Sequence, residues 1–589
     1  DAAQAVPWLE IAARQDFPRA LNLLGNCYRY GDGVEADPVR AAELYQSAAE
    51  REYPPAMSSL GLCYEMGEGV ERNPERAIHW YTCAAERDYA PAQCNLAVCC
   101  LNGFGMERDP LRAVEWLQKA AAQGFPRALD ILGDCYQGGD GIAADPARAV
   151  ECYRRAADAG YPPALCDLGL CYENGDGVEE DLERAADCYR QAADRGDARA
   201  MCNLAVCCLN GNGVEKDVPA AVELLERSAQ REHARALSIL GDLYRDGEGV
   251  EQDDGKSAQL YLKAARSGYR PAMCSIGYSY EVGRGVPEDK AQAVEWYRQG
   301  AQAGYAPAQC NLAFCLESGI GTERDLKQAV EWYQRAAQAG YPRALCNLGL
   351  CYENGDGVDK DLEKAAQLYQ QAVDRGYVPA LCNLGVCYEY GDGVPEDKAK
   401  AAELYRQAAE RGSATGQCNL AYCLEKGIGG TKDIKQAVHW YEQAAKQGNG
   451  RAMCNLGLCY EQGLGVKEDK ARAVELYRQG AQAGYSAAMC NLGLCYLEGI
   501  GIQADPVQGV QWLEKAAERR FGRAQALLGD CFRDGTGVKA DRKRAEELYR
   551  QAVEQGYKPA QERLDALTAP AADKAAPKKK SFLEKLFGK

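Results

Sequence analysis

Histidine is scarce in this chain: three residues out of 589, His79, His233 and His439, each far from the others. That leaves no set of imidazoles for a zinc site or a shared general base. No two cysteines stand in a CxxC spacing, although there are 28 of them. No apolar run approaches the roughly 18 to 20 residues of a membrane-spanning helix. Positive charge is also in deficit, with 69 Lys and Arg against 86 Asp and Glu, a net charge of -17. A general nucleic-acid binder brings basic residues to phosphate, so this balance argues against one and favours basic or neutral partners. The deficit is uneven. Residues 569–589 carry six Lys against one Asp and one Glu; taking that +4 from the whole leaves the preceding body at -21.

What the chain has in abundance is repetition. The stretch CNLGLCYENGDGV begins at Cys346, with close copies at Cys166 and Cys454. Taking the small residue before each CY or its equivalent as a marker, fifteen markers run from Gly25 through Gly349 to Gly529, always 36 residues apart, without an insertion or deletion. Such a fixed period is the signature of a stacked repeat array. The alanine markers Ala97, Ala205, Ala313 and Ala421 are 108 residues apart, which points to duplication of three-repeat blocks.

Each repeat reads as two helices. In the Gly349 repeat, Ala344, Leu348, Cys351 and Tyr352 fall within about a third of a turn at 100° per residue, one apolar stripe. The first helix stops at Gly355 and Gly357, residues suited to left-handed backbone. Asp361 then opens the second helix as its cap; its counterparts are all Asp except Asn73. Pro38, Pro74, Pro110, Pro146 and Pro506 follow their caps at the first helical position. The second helix buries Ala365, Leu368 and Tyr369, with Trp at the Leu368 position in six repeats, Trp80 and Trp332 among them. One hairpin buries too little to stand alone, so neighbours must cover it, which makes an α-solenoid.

The pattern A-x-x-x-L-G-x-x-Y-x-x-G-x-G-V-x-x-D followed by A-x-x-W/L-Y-x-x-A-A-x-x-G resembles the Sel-one-like repeat family, relatives of the tetratricopeptide repeats, over residues 1 to about 566. The resemblance implies an all-α, right-handed superhelical solenoid of about fifteen antiparallel helix pairs, first helices lining a concave face, in a protein that works as an adaptor or scaffold. Asp1 falls at a helix-opening position and Trp8 at the Trp position, so the solenoid, 1–566, begins in mid-repeat and is expected to be part of a longer chain. Residues 567–589 are expected to form a flexible basic tail. In it Phe582, Leu583, Leu586 and Phe587 beside Lys578, Lys579 and Lys580 suit an anionic membrane surface or a partner groove; a merely solubilising tail is the other reading. With neither signal peptide nor membrane-length run in the chain as given, a cytoplasmic location is favoured.

Nine repeats pair a Cys three before the marker with one two after it, as in Cys346 and Cys351. Five residues along a helix is about 140° around it, so the two thiols diverge and neither chelate together nor join. The second lies on the apolar stripe and reads as a small buried hydrophobe; the first falls near the glycine face and is expected close to the groove. Secreted cysteine-rich members of the resembled family staple successive helices with disulfides; only Cys83 and Cys94 are so placed here. The Gly-x-Gly turns follow helices rather than strands, so they are not phosphate loops. No metal, cofactor or catalytic residue is assigned.

The feature that points to binding is an asparagine two residues before the marker: Asn95, Asn203, then six in succession, Asn311, Asn347, Asn383, Asn419, Asn455 and Asn491. A primary amide offers donor and acceptor together, the complement of a peptide group, so a row of them can hold an extended backbone. Four residues after the marker, Glu317, Glu353, Glu389, Glu425 and Glu461 add negative charge beside that row. These eleven residues are the candidate peptide site. The alternative is that the amides tie neighbouring helices and the carboxylates are a solvated face. The expected function is a non-enzymatic scaffold binding a protein or extended basic segment on its concave face; a hydrolase-like or redox protein, resembling cysteine-rich relatives, and a structural spacer are the competing classes.

Overall fold

The structure is a computed structural model that describes residues 2–568; of the expected tail, Leu567 and Thr568 instead end the last helix, Leu567 buried, and residues 569–589 lie outside the described residues. Among these there are 32 α-helices and no strand, running from Ala2–Ala13 to Pro559–Thr568. The expected all-α solenoid of 36-residue helix pairs is what is found.

Local chemistry sets each boundary. In the Gly349 repeat the first helix is Pro342–Asn354 and the second Leu362–Asp374. Asp361 has extended backbone and its carboxylate accepts the Lys364 N–H at 2.9 Å, which satisfies one of the helix's open donors. Gly355 closes the first helix at φ +81, its N–H donating to the Cys351 carbonyl. Gly357 is also left-handed, at φ +73, and here space matters as well: a Cβ would run into the Leu326 carbonyl that opens the second helix of the preceding repeat. The first glycine ends a helix and the second is where one repeat touches the last, so the period tolerates no insertion. The Asp361 N–H donates back to the Tyr352 carbonyl at 2.8 Å, drawing the turn tight.

By contacts the chain divides into two compact units, one ending at Trp296 and one beginning at Tyr297. Within each, first and second helices of a repeat pack along their length and each second helix packs on the next first helix. First helices also touch each other from repeat to repeat, as between Val378–Tyr390 and Ala414–Lys426, more closely than second helices do. The first helices therefore line the inner side of each unit.

The core of a repeat is a tyrosine on the second helix. Tyr369, Tyr405, Tyr441 and Tyr477 are fully buried, as are Tyr45, Tyr81, Tyr189, Tyr261, Tyr297 and Tyr333. The marker glycine makes room for this ring: a Cβ on Gly349 would stand 2.5 Å from the Tyr369 ring. Leu348, Cys351 and Tyr352 of the predicted stripe are buried, and so are Ala365 and Leu368.

Candidate functional site

Counting from the marker, residues at -6, -2, +1 and +5 share one face of the first helix, since steps of three and four return to the same side. The asparagines stand at -2. The Nδ2 atoms of Asn203, Asn347, Asn383, Asn455 and Asn491 donate backwards to the preceding repeat. Asn383 reaches the Cys346 thiol sulfur at 3.3 Å and Asn491 that of Cys454 at 3.4 Å. Asn347 and Asn455 reach the hydroxyls of Tyr333 and Tyr441 at 3.3 and 3.2 Å, Asn347 with a longer contact to the Cys310 sulfur at 4.0 Å as well. Those two follow the repeats whose marker is alanine, Ala313 and Ala421.

The carbonyl ends face the following repeat. Arg343, Arg451 and Arg523, at -6 of the next first helix, donate to the Oδ1 atoms of Asn311, Asn419 and Asn491 at 3.5, 3.2 and 3.3 Å. The same place holds Pro379, Thr415 and Ala487 in the other three cases, so Asn347, Asn383 and Asn455 have no guanidinium there. Five of the six amides are partly exposed, whereas Asn491 is enclosed at 1% exposure.

Every candidate glutamate accepts a hydrogen bond from the buried tyrosine of its own repeat. Tyr333, Tyr369, Tyr405, Tyr441 and Tyr477 donate to Glu317, Glu353, Glu389, Glu425 and Glu461 at 2.7, 2.6, 2.7, 2.9 and 2.6 Å. Burial, then the carboxylate, holds the Tyr369 phenol far above its usual range. Glu461 is itself buried, and burial raises its carboxyl above the ordinary value. One oxygen of each glutamate is thus committed to the core.

Sequence reasoning did not foresee this bond, yet the chain spells it out. Where the tyrosine is replaced by Leu117, Leu225 or Leu513, the glutamate position holds Leu101, Leu209 or Leu497. Where tyrosine stays without that glutamate, an Asp or Asn at +1 takes its hydroxyl, as Asn26, Asp134, Asp242 and Asp530 do. Glu353→Leu is therefore expected to cost about 1–3 kcal/mol, the penalty of a buried hydroxyl without an acceptor. Adding Leu350→Asp should restore most of it by supplying the other acceptor. Hydrogen exchange of the amides in Leu362–Asp374 measures both steps; equal protection in single and double variants would contradict the exchange of acceptors.

One pair of repeats departs from the scheme. Asp130 stands in the place of the first Cys, and Asp167 in the place of the asparagine. Asp167 is paired with Arg199 at 2.7 Å, and Asp134 accepts from Tyr153 at 2.8 Å. Asp130 is 7% exposed and its Oδ1 has no hydrogen-bond partner. Burial, reinforced by Asp167 and Asp134 and opposed by Arg199, pushes its carboxyl up to about 8.

The first cysteine of each pair does not line the groove as expected. Cys346 is as buried as Cys351, because the Asn383 side chain of the next repeat covers it. Among the described residues, which include every cysteine, there is no disulfide, Cys83 and Cys94 included. Nor does any group of three or more His, Cys, Asp or Glu have the geometry to hold a metal ion, or any helix the length and apolarity to cross a membrane.

The regular geometry has relatives. A solved structure of a protective antigen present in uropathogenic Escherichia coli strains, displaying the same repeat fold, is 29% identical with a TM-score of 0.51, covering 85% of this chain and 99% of that one. A Sel1 repeat protein from Oxalobacter formigenes is 32% identical with a TM-score of 0.39, over 41% of this chain and 96% of its own. Helicobacter pylori cysteine rich protein B is 29% identical with a TM-score of 0.19, over 22% of this chain and 92% of its own. No curated protein matches. The family model described as the Sel1 repeat matches fifteen successive segments, from 18–53 to 522–557, in step with the 36-residue period. A period kept by capped turns, glycine-on-tyrosine packing and that match agree: the chain belongs to the Sel1 repeat family.

Proposed function

We propose that this protein is a non-catalytic scaffold whose first helices, from Asn311 to Asn491, hold an extended basic segment of a partner protein. The observation that carries this is the polarity of the amide row. Each of Asn347, Asn383 and Asn455 is anchored through Nδ2 on the preceding repeat while its carbonyl meets no guanidinium from the next. An anchored amide with an available acceptor and a second N–H suits a peptide group, which needs one of each. Repeats stacked about 10 Å apart correspond to about three extended residues each, so the row would span roughly 15 to 18 residues. Glu317, Glu353, Glu389 and Glu425, partly exposed, favour basic side chains and speed their arrival. Asn491 and Glu461 are buried and close the row at its end. Membership of a repeat family that serves protein interaction supports the scaffold class.

The test is a pull-down from the source lysate with wild-type protein and with Asn347→Ala, Asn383→Ala, Asn419→Ala and Asn455→Ala combined, after circular dichroism shows equal helix content. Loss of a captured partner in the variant, at least tenfold by quantitative mass spectrometry, is expected. Equal capture by both would return the amides to a purely structural role.

A further inference from the structure

The exchange of tyrosine acceptors frees one column of the inner face. At +1, Asp134, Asp242 and Asp530 serve the tyrosine hydroxyl in their repeats. In the five repeats from Ala313 to Gly457, glutamate serves it from +4, so +1 has no part in that bond. An aspartate there is compatible with the fold, as three other repeats show. Yet the column holds Phe314, Leu350, Val386, Tyr422 and Leu458 without a break. Phe314 and Leu350 are each 37% exposed; Val386, Tyr422 and Leu458 are partly exposed, Val386 and Leu458 also packing against the core and the Tyr422 ring facing the Arg451 guanidinium. Apolar side chains kept in succession where water reaches them, and where a carboxylate would do, point to a partner.

The column runs with the amide row. Each apolar residue follows its asparagine by three positions, adjacent on the helix surface, and on the C-terminal side both rows are gone by the Gly529 repeat, which has Leu527 for the asparagine and Asp530 at +1. On the N-terminal side Ser275 replaces the asparagine while +1 is still apolar, as Tyr278. Resting on the reading above, we infer that the groove takes a basic segment in polyproline-II conformation with an apolar side chain at every third residue. That conformation has three residues per turn and a rise of about 3.1 Å, so every third side chain returns to one face after about 9.3 Å, close to the repeat spacing. A flat β-strand would alternate faces and miss every second rung. Polyproline II has no internal hydrogen bonds, so its backbone is free for the amides. Glu317, Glu353, Glu389 and Glu425 lie one turn beyond the apolar column and suit Lys or Arg between the apolar residues.

The experiment uses fluorescence anisotropy with three synthetic 15-residue peptides: five repeats of Leu-Lys-Pro, the same composition in scrambled order, and five repeats of Ser-Lys-Pro. The phased leucine peptide is expected to bind wild-type protein at least tenfold more tightly than the other two. Phe314→Asp with Leu350→Asp, which leaves Tyr333 and Tyr369 their acceptors, should erase that difference at unchanged circular dichroism. If Ser-Lys-Pro binds as tightly as Leu-Lys-Pro and only the fourfold asparagine variant loses it, the apolar register is wrong while the amide groove stands. If the peptides bind wild type and asparagine variant alike, the groove reading itself falls, and the register with it. Tighter binding of a peptide of residues 578–589 than of the phased peptide would give the column to the chain's own tail and overturn the assignment to a partner.

Discussion

Asp130→Asn should stabilise the repeats around it increasingly as pH rises. The buried carboxyl titrates near 8 in the folded chain, against about 3.9 when exposed. Between those values the folded state holds a proton that the unfolded state has released, so wild-type stability falls as pH rises from about 4 through 8. At about 1.4 kcal/mol per unit the ceiling is about 6 kcal/mol; an asparagine side chain does not titrate. The charged groups that face the carboxyl are Asp134 on its own helix, Asp167 and Arg199 on the next two first helices, and Asp197 at the cap of the last of these, with the Cys94 thiol and the Tyr161 phenol also in range. Only the arginine opposes the acids, and it is already paired with Asp167. The substitution would also place an amide where Asp167 can accept from it, the reverse of the bond between Asn383 and Cys346. Hydrogen exchange of Pro126–Gly138 and Pro162–Asn174 at pH 5 and pH 8.5 reads the effect locally. The wild type should lose protection between the two pH values, beyond the intrinsic change in exchange, and the variant should not. A pH-independent difference would mean that Asp130 is ionised throughout and compensated by a group other than those named.

How much of this could be read without coordinates depends on whether the partner lies in the same helix. The stripe of Leu348, Cys351 and Tyr352, the Asp361 cap and the left-handed Gly355 follow from local periodicity and turn chemistry, and each is where the spacing puts it. Gly357 reads as a turn residue, but its closeness to Leu326 is a contact between repeats. Cys346 shows the same limit. Its angle on the helical wheel is right, and it is buried all the same, because Asn383 of the next repeat lies over it. The asparagine row was visible as a row, whereas its anchoring on Cys346 or Tyr333 and its capping by Arg343 or Arg451 join residues 14 to 37 positions apart. The pairing of tyrosine with glutamate differs: Leu117 with Leu101 and Leu225 with Leu209 show both partners lost together, so comparing repeats within this one chain suffices to find it.

The thiols allow the sharpest separation between a scaffold and a cysteine-dependent catalyst. A nucleophilic or redox cysteine must be reachable and present its thiolate. Here burial pushes Cys351 up to about 12 and Cys346 up to about 11; Cys382 and Cys490 are raised for the same reason. At pH 8 a thiol near 12 has roughly a thousandfold less thiolate than one near 9, and one near 11 roughly a hundredfold less. Cys27, Cys83 and Cys274 are only half-buried, and Cys83 lies 3.8 Å from the His79 Nε2. A disulfide reagent at pH 8 should therefore modify the half-buried Cys83, Cys27 and Cys274 first, Cys27 slowed by the rise that burial gives it, and Cys346 and Cys351 at least a hundredfold more slowly, on the timescale of local opening. Peptide mapping of the early product identifies the sites, and full reaction in denaturant supplies the total. A bound peptide should leave the rates of the three early sites unchanged and slow Cys346 further, because its cover, Asn383, belongs to the proposed groove. Prompt modification of the paired cysteines in folded protein would instead mean that the inner face opens to solvent and that these thiols are available for chemistry.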